Sequence, residues 1–197
     1  MADYELVNAF PIPLALHDYD RTEIESEVNA LLDMFNRGNG KVVEEGVKTL
    51  ATGNASAEEQ YVVNLMTTKK YSGILDYVVD KFLVRYCGEL DVLVQNACNW
   101  AWVTKIEKGY SRPFGKFIEA NFVILMPLEC SDDQTIDILN PNCLFESKKL
   151  GIVNGNLFNS SSISIDIKDR IIVFPASTFF ELKAQEDLVY LAIGICQ

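Results

Sequence analysis

The sequence predicts an α+β fold in which helices come first and a β sandwich or barrel follows, and three observations carry that reading. Apolar residues recur at helical spacing over the first 88 positions. From residue 89 they gather instead in short runs rich in Val, Ile, Phe and Thr. Those runs are separated by turn-forming clusters such as Asn140-Pro141-Asn142 and the Asn/Gly/Ser-rich stretch 151–162. Helices followed by short strands describe helices packed outside a sandwich or barrel. With 197 residues, 49% of them apolar, a single domain over 1–197 is expected, burying roughly 70% of its unfolded surface. Residues 1–88 then supply an arm and helices, and residues 89–197 the strands.

Each element has its own signal. Phe10-Pro11-Ile12-Pro13 cannot lie inside a helix, so Leu6 to Leu16 reads as an edge strand or extended arm. Thr22 with Glu25 has the spacing of a capping box, and Ile24, Val28, Leu31, Leu32 and Phe35 then share one face of a helix over Glu23 to Asn36, which Gly38 and Gly40 stop. Ser56 and Glu59 repeat the signature ahead of Tyr61 to Met66. A third helix begins after Ser72-Gly73 and runs to about Gly88. The strands expected beyond it are Asp91 to Ile106, Ala120 to Met126, Gln134 to Leu139, Ile163 to Ile167, Ile171 to Phe174 and Leu188 to Ile195. Ala120 to Met126 is continuously apolar, as a strand covered on both faces would be.

Composition excludes several function classes. The formal net charge is −11, from 28 acidic against 17 basic residues, which opposes the phosphate contacts nucleic-acid binding requires. No apolar run approaches the roughly 20 residues of a membrane span, and Asp3 and Glu5 stand where a signal peptide would be basic. A soluble, unexported chain is expected. The five cysteines, Cys87, Cys98, Cys130, Cys143 and Cys196, are widely spaced without a Cys-x-x-Cys pair and read as reduced, mostly buried thiols. Gly38-Asn39-Gly40-Lys41 lacks the spacing of a phosphate loop and reads as a turn. There is one histidine, His17, and with no Ser or Cys nucleophile motif beside it a surface or loop position is expected.

From Trp102 onward the chain resembles a known family. Trp102-Val103-Thr104-Lys105-Ile106-Glu107-Lys108-Gly109-Tyr110-Ser111-Arg112-Pro113 is similar to the strand and turn that lead into the metal motif of a family of 2-oxoglutarate and Fe(II) dependent oxygenases common in tailed phages. Glu119 to Pro127, Asn140-Pro141, Asp166 to Ser177 and Glu186 to Ile195 resemble further segments of that family in matching order, as does the opening Val7 to Pro13. The resemblance implies a double-stranded β-helix, a cupin-like jelly roll, with N-terminal helices packed against it.

The chemical positions depart from the family pattern. Phe114-Gly115-Lys116 stands where the resemblance places His-x-His, Phe180 where it places the distal histidine, and Leu188 where it places the cosubstrate arginine. A non-heme Fe(II) site takes two imidazoles and a carboxylate, and no histidine follows His17. Phe114, Lys116, Phe180 and Leu188 are therefore read as a degenerate former site, with no catalytic residue, no metal ligand and no cofactor. Glu119, Glu129, Asp132, Asp133 and Asp137 could form a carboxylate site, although Ser131-Asp132-Asp133 reads better as an exposed turn. Trp100 and Trp102 share a strand face, and Phe179 and Phe180 are placed at the lip of the former pocket, either as packing or as an aromatic platform for a glycan.

Three functions follow as expectations. The first is a pseudoenzyme, not a working catalyst, serving as a structural or assembly component of a tailed-phage virion assembled in the host cytoplasm, with viral structural proteins or further copies of itself as partners and neither nucleic acid nor membrane. The second is an active 2-oxoglutarate/Fe(II) oxygenase. The third is a glycan-binding module.

Overall fold

The computed structural model describes residues 4–9, 12–34, 41–44, 47–51, 72–90, 97–117, 120–140 and 162–196. Two antiparallel sheets make up most of it. The larger has eight strands, in the order β1 (Tyr4–Ala9), β2 (Ile12–Asp18), β10 (Arg170–Pro175), β7 (Phe122–Glu129), β12 (Leu188–Cys196), β5 (Ala97–Ile106), β4 (Val47–Ala51) and β3 (Lys41–Glu44). The smaller has four, β6 (Ser111–Gly115), β11 (Phe180–Lys183), β8 (Thr135–Leu139) and β9 (Ser162–Asp166). With the helices this is the expected α+β jelly roll.

Strand alternation divides the core in two. On β7, Val123 and Leu125 point between the sheets while Ile124 and Met126 point toward the helices, and all four are buried. On β12, Leu188, Tyr190 and Ala192 face the smaller sheet, and Val189, Leu191 and Ile193 face the helices. Both strands run as continuous apolar sequence because neither face meets water. β7 and β12 pair with each other and with β10 and β5 on their outer sides, which places them at the centre of the sheet.

The helical layer covers the outer face of the larger sheet. A 3-10 turn, Arg21–Ile24, runs into α1 (Glu25–Met34), and Ile24, Val28 and Leu31 are buried against the sheet. A second helical stretch comprises α2 (Ser72–Val78), a π-helical turn (Val79–Leu83) and α3 (Val84–Glu89). It buries Ile74, Val78, Phe82 and Tyr86. The Tyr19 hydroxyl donates to the Pro127 carbonyl at 2.7 Å and that of Tyr86 to the Pro13 carbonyl at 2.7 Å, tying the N-terminal strand and the helices to the sheet. None of the described helices is long and apolar enough to cross a membrane.

Several boundaries differ from expectation. The first helix is capped by Asp20, whose carboxylate accepts from the Thr22 backbone N–H at 2.9 Å, so the expected Thr22 and Glu25 box gives way to a residue two positions earlier. Four strands, β1 to β4, precede residue 88 and share a sheet with β5, β7, β10 and β12, so the N-terminal part contributes to the sheet as well as to the layer above it. β6 and β11 were not expected as strands. β6 carries Pro113, which an edge strand tolerates, and β11 has four residues, too few for alternation to show. The helix expected over Tyr61 to Met66 lies outside the described residues.

Gly194 fills a steric role in β12. It pairs with Trp100 of β5 at a register shift, and a Cβ built on it would fall within the Trp100 indole ring. Trp100 is itself held by a stack on Trp102, with ring centroids 4.4 Å apart. Gly194→Ala is expected to destabilise the protein by about 1–3 kcal/mol through overpacking, read as a lower urea midpoint. Gly88→Ala meets nothing within 4 Å and should leave the midpoint unchanged or raise it.

Candidate functional site

Side chains from six elements meet between the two sheets. Trp100 and Trp102 enter from β5, Arg112 from β6, and Phe117 from the segment after β6. Phe174, Phe180 and Tyr190 enter from β10, β11 and β12. Phe117 joins the rings together: its centroid lies 4.9 Å from that of Trp100 and 5.2 Å from that of Phe180, with which it stacks. Phe174 lies 5.7 Å from Phe180. Such pairs add about 0.5–1.5 kcal/mol each beyond the area they bury.

Arg112 carries the only charge described in this cluster. Its guanidinium lies 4.6 Å from the Phe117 ring centroid, 5.2 Å from that of Phe180 and 6.0 Å from that of Trp102. Nη1 donates to the Tyr190 hydroxyl at 2.9 Å. A weakly hydrated, planar cation suits a setting of ring faces better than an ammonium would.

The four expected site positions separate. Phe180 and Leu188 are fully buried in the inter-sheet core, Leu188 opposite Ile106 on β5. Phe180 was expected at a pocket lip and lies instead inside the packing, because β11 alternates it inward with Leu182. Lys116 is exposed, with its ammonium 5.7 Å from the Phe179 ring. Phe114 lies on β6, and its side chain is outside what is described. Arg112, Phe117 and Tyr190 had not been singled out. The inward period of β12 through Leu188, Tyr190 and Ala192 was the signal available for Tyr190, whereas nothing local marks Phe117.

These residues do not fit an Fe(II) centre. Among the described residues, rings and one guanidinium line the space, and a guanidinium repels a divalent cation. The carboxylates do not supply an alternative. Asp132 and Asp133 form the expected exposed turn, Glu129 is exposed at the end of β7, and Asp137 is held by Lys183 at 3.6 Å. Glu119 lies outside the described residues. Among the described residues no group of three or more His, Cys, Asp or Glu is placed to hold a metal. Trp100 is buried with its ring engaged by Trp102 and Phe117, and Trp102 is half-buried beside it.

His17 lies elsewhere than expected. It is 2% exposed, in the interior of β2, and its odd position turns the imidazole toward the helices, on the opposite face of the sheet from Leu14 and Leu16. Its ring centroid is 4.6 Å from that of Phe82. Burial, and then the charge of Arg85, push its pKa down to about 4, against a smaller opposing effect of Asp18. Burial likewise raises the Cys87 thiol to about 11 and raises that of Cys130, so neither is poised as a thiolate nucleophile.

No protein-family model matches the chain, and no curated protein matches it in sequence. Solved structures do match its fold. A prolyl-4-hydroxylase from Pseudomonas putida superposes with a TM-score of 0.58 at 9% identity, covering 93% of this chain and 92% of its own. An oxidoreductase of the 2OG-Fe(II) oxygenase family from Burkholderia pseudomallei gives 0.53 at 9%, covering 86% and 77%. HygX from Streptomyces hygroscopicus, with nickel and 2-oxoglutarate bound, gives 0.58 at 11%, covering 92% and 81%. The expectation that the chain is not an enzyme is corrected by these matches, since the fold it shares is one that oxygenases use. The chain has the double-stranded β-helix fold of the 2-oxoglutarate oxygenases.

Two measurements check this geometry. Removing the Tyr190 hydroxyl takes the partner from a charged donor, so Tyr190→Phe should cost about 1–3 kcal/mol by urea unfolding. Combined with Arg112→Met the two losses should fall short of additive by about 1 kcal/mol or more. For His17, a folded pKa of about 4 lies below the ordinary 6.5, so the unfolded chain takes up the proton first. The contribution is intact above pH 6.5 and is lost as pH falls toward 4, amounting to about 2 kcal/mol between pH 7 and 5. His17→Gln should flatten that part of the stability profile.

Proposed function

We propose that this chain uses the oxygenase fold as a structural or assembly subunit, with other protein subunits or further copies of itself as partners. In its most specific form, suggested by the sequence resemblance, the assembly is a tailed-phage particle put together in the host cytoplasm. The observation that carries the reading is the aromatic packing between the sheets. Phe180 and Leu188, at two positions where the resemblance places ligands, are buried in a continuous aromatic packing with Phe117, Trp100 and Phe174. That packing serves the rigidity of a scaffold, and rigid jelly rolls are common building units of particles.

Oxygenase turnover is the second reading, and the fold shared with prolyl-4-hydroxylase and HygX favours it. The two are separated by purifying the native protein from the cells that make it. Recovery in fixed stoichiometry within a particle or complex is the expected result. Recovery only as a free chain, together with succinate release from 2-oxoglutarate under Fe(II) and oxygen, would establish the second reading in its place.

A further inference from the structure

The two outer strands of the smaller sheet are not alike. β6 carries Arg112 and Pro113 and meets β11 at a register shift, features that blunt an edge against pairing. β9 reads Ser162-Ile163-Ser164-Ile165-Asp166, without proline or lysine, in unbroken register with β8. Among the described residues no strand lies on its outer side. Ser164 and Asp166 are exposed, and so is Ile163, at 37%, although most large apolar side chains described are buried.

Hydrogen-bond parity fixes which backbone groups of β9 face outward. The Ile167 N–H donates to the Gln134 carbonyl at 3.0 Å, one step beyond the pairing of Asp166 with Thr135. Bonded pairs alternate along an antiparallel ladder, so Ile165 and Ile163 bond to β8 at Ile136 and Ile138. The N–H and C=O groups of Ser162, Ser164 and Asp166 therefore point away from β8. Side-chain alternation sets Ile163 on the same face as the buried Ile165, which leaves an apolar residue at the open margin of the inter-sheet core.

A second copy of the same strand fits this edge. Antiparallel pairing about a two-fold axis at Ser164 sets Ser164 opposite its own copy, Ser162 opposite Asp166, and Ile163 opposite Ile165. Every outward N–H and C=O then meets a partner, and Ile163 gains an apolar neighbour. The charges are compatible with that register. Asp166 faces the Ser162 hydroxyl instead of a second carboxylate, and it keeps lone pairs for that donor after accepting the Lys168 N–H at 2.9 Å. Asp137, one strand further in, accepts from the Ser164 hydroxyl and is held by Lys183 at 3.6 Å.

We propose that β9 is a self-association edge that joins two copies of the chain into one continuous sheet through this register. Its biological role rests on the assembly reading, whereas the contact is a property of the purified chain. A five-residue edge buries less than a standard interface, so the pair is weak alone and strengthened by repetition within an assembly. Each copy carries a charge of −11, so salt that screens the repulsion should tighten the pair.

Sedimentation equilibrium of the full chain in about 0.15 M salt tests this, with a monomer–dimer equilibrium of Kd roughly 100 µM as the expected result. Ser164→Pro removes the outward N–H at the axis and spares the bonds to β8, so it should weaken the dimer about tenfold or more, whereas Ser164→Ala should not. Ile163→Glu should weaken it comparably, and the urea midpoint of each variant shows that it has folded. In NMR amide exchange of the unaltered chain, the Ser164 and Asp166 amides should gain protection as concentration rises, while those of Ile163 and Ile165 stay as they are. A chain that is monomeric at about ten times that Kd, which leaves the edge to a strand of another protein, would overturn the proposal. So would a dimer that both folded variants form as well as the native chain, or protection that rises elsewhere and not on β9. The assembly reading fails separately: a β9 dimer in a protein recovered from cells only outside any particle or complex supports the edge and removes that role.

Discussion

A sheet that is apolar on both faces must be covered on both sides, and the rest of this molecule is arranged to meet that demand. β7 from Phe122 to Met126 and β12 from Leu188 to Ile193 place buried side chains alternately above and below the sheet. The four-stranded sheet covers one side and the helical layer the other. Burying a Val, Leu or Ile contributes about 1.5–3 kcal/mol, so either face left open would forfeit many such contributions. The chain therefore forms two cores around one sheet, and each element is positioned by which core it closes.

That division also separates the chemistry. The inter-sheet core brings together Trp100, Phe117, Phe174 and Phe180 around the Arg112–Tyr190 pair, while the only imidazole is turned by strand alternation into the helical core. A one-residue change of register on β2 would reverse that placement. The fold is one that 2-oxoglutarate oxygenases use, but among the described residues its inter-sheet space offers ring faces and a guanidinium where divalent iron needs lone pairs. Fold and site thus speak to different questions, the first about architecture and the second about what the interior can hold.

Much of the architecture was legible in the sequence because periodicity reports burial. The continuous apolar run of β7, the alternation of β8 and the helical spacing of Val28 and Leu31 each reflect which faces are covered. What was not legible depends on partners remote in sequence. β6 contains a proline and β11 is short, so they declare themselves only through pairing, β6 with β11 and β11 with β8 as well. His17 sits beside Asp18 and Tyr19 in a polar stretch, and its burial follows from Phe82, 65 positions away, packing over it. The site positions were legible as residue types and not as a cluster: Phe180 finds its stacking partner in Phe117, which no motif marks.

The central claim is that the interior between the sheets is a packed Arg–aromatic core. A crystal structure grown with Mn(II), as a stable substitute for Fe(II), and 2-oxoglutarate tests it most directly. The expected result is Phe117 stacked on Phe180, Arg112 bonded to the Tyr190 hydroxyl, and no anomalous manganese peak between the sheets. A manganese peak there, with the Phe117 and Phe180 rings turned aside to admit it, would contradict the claim.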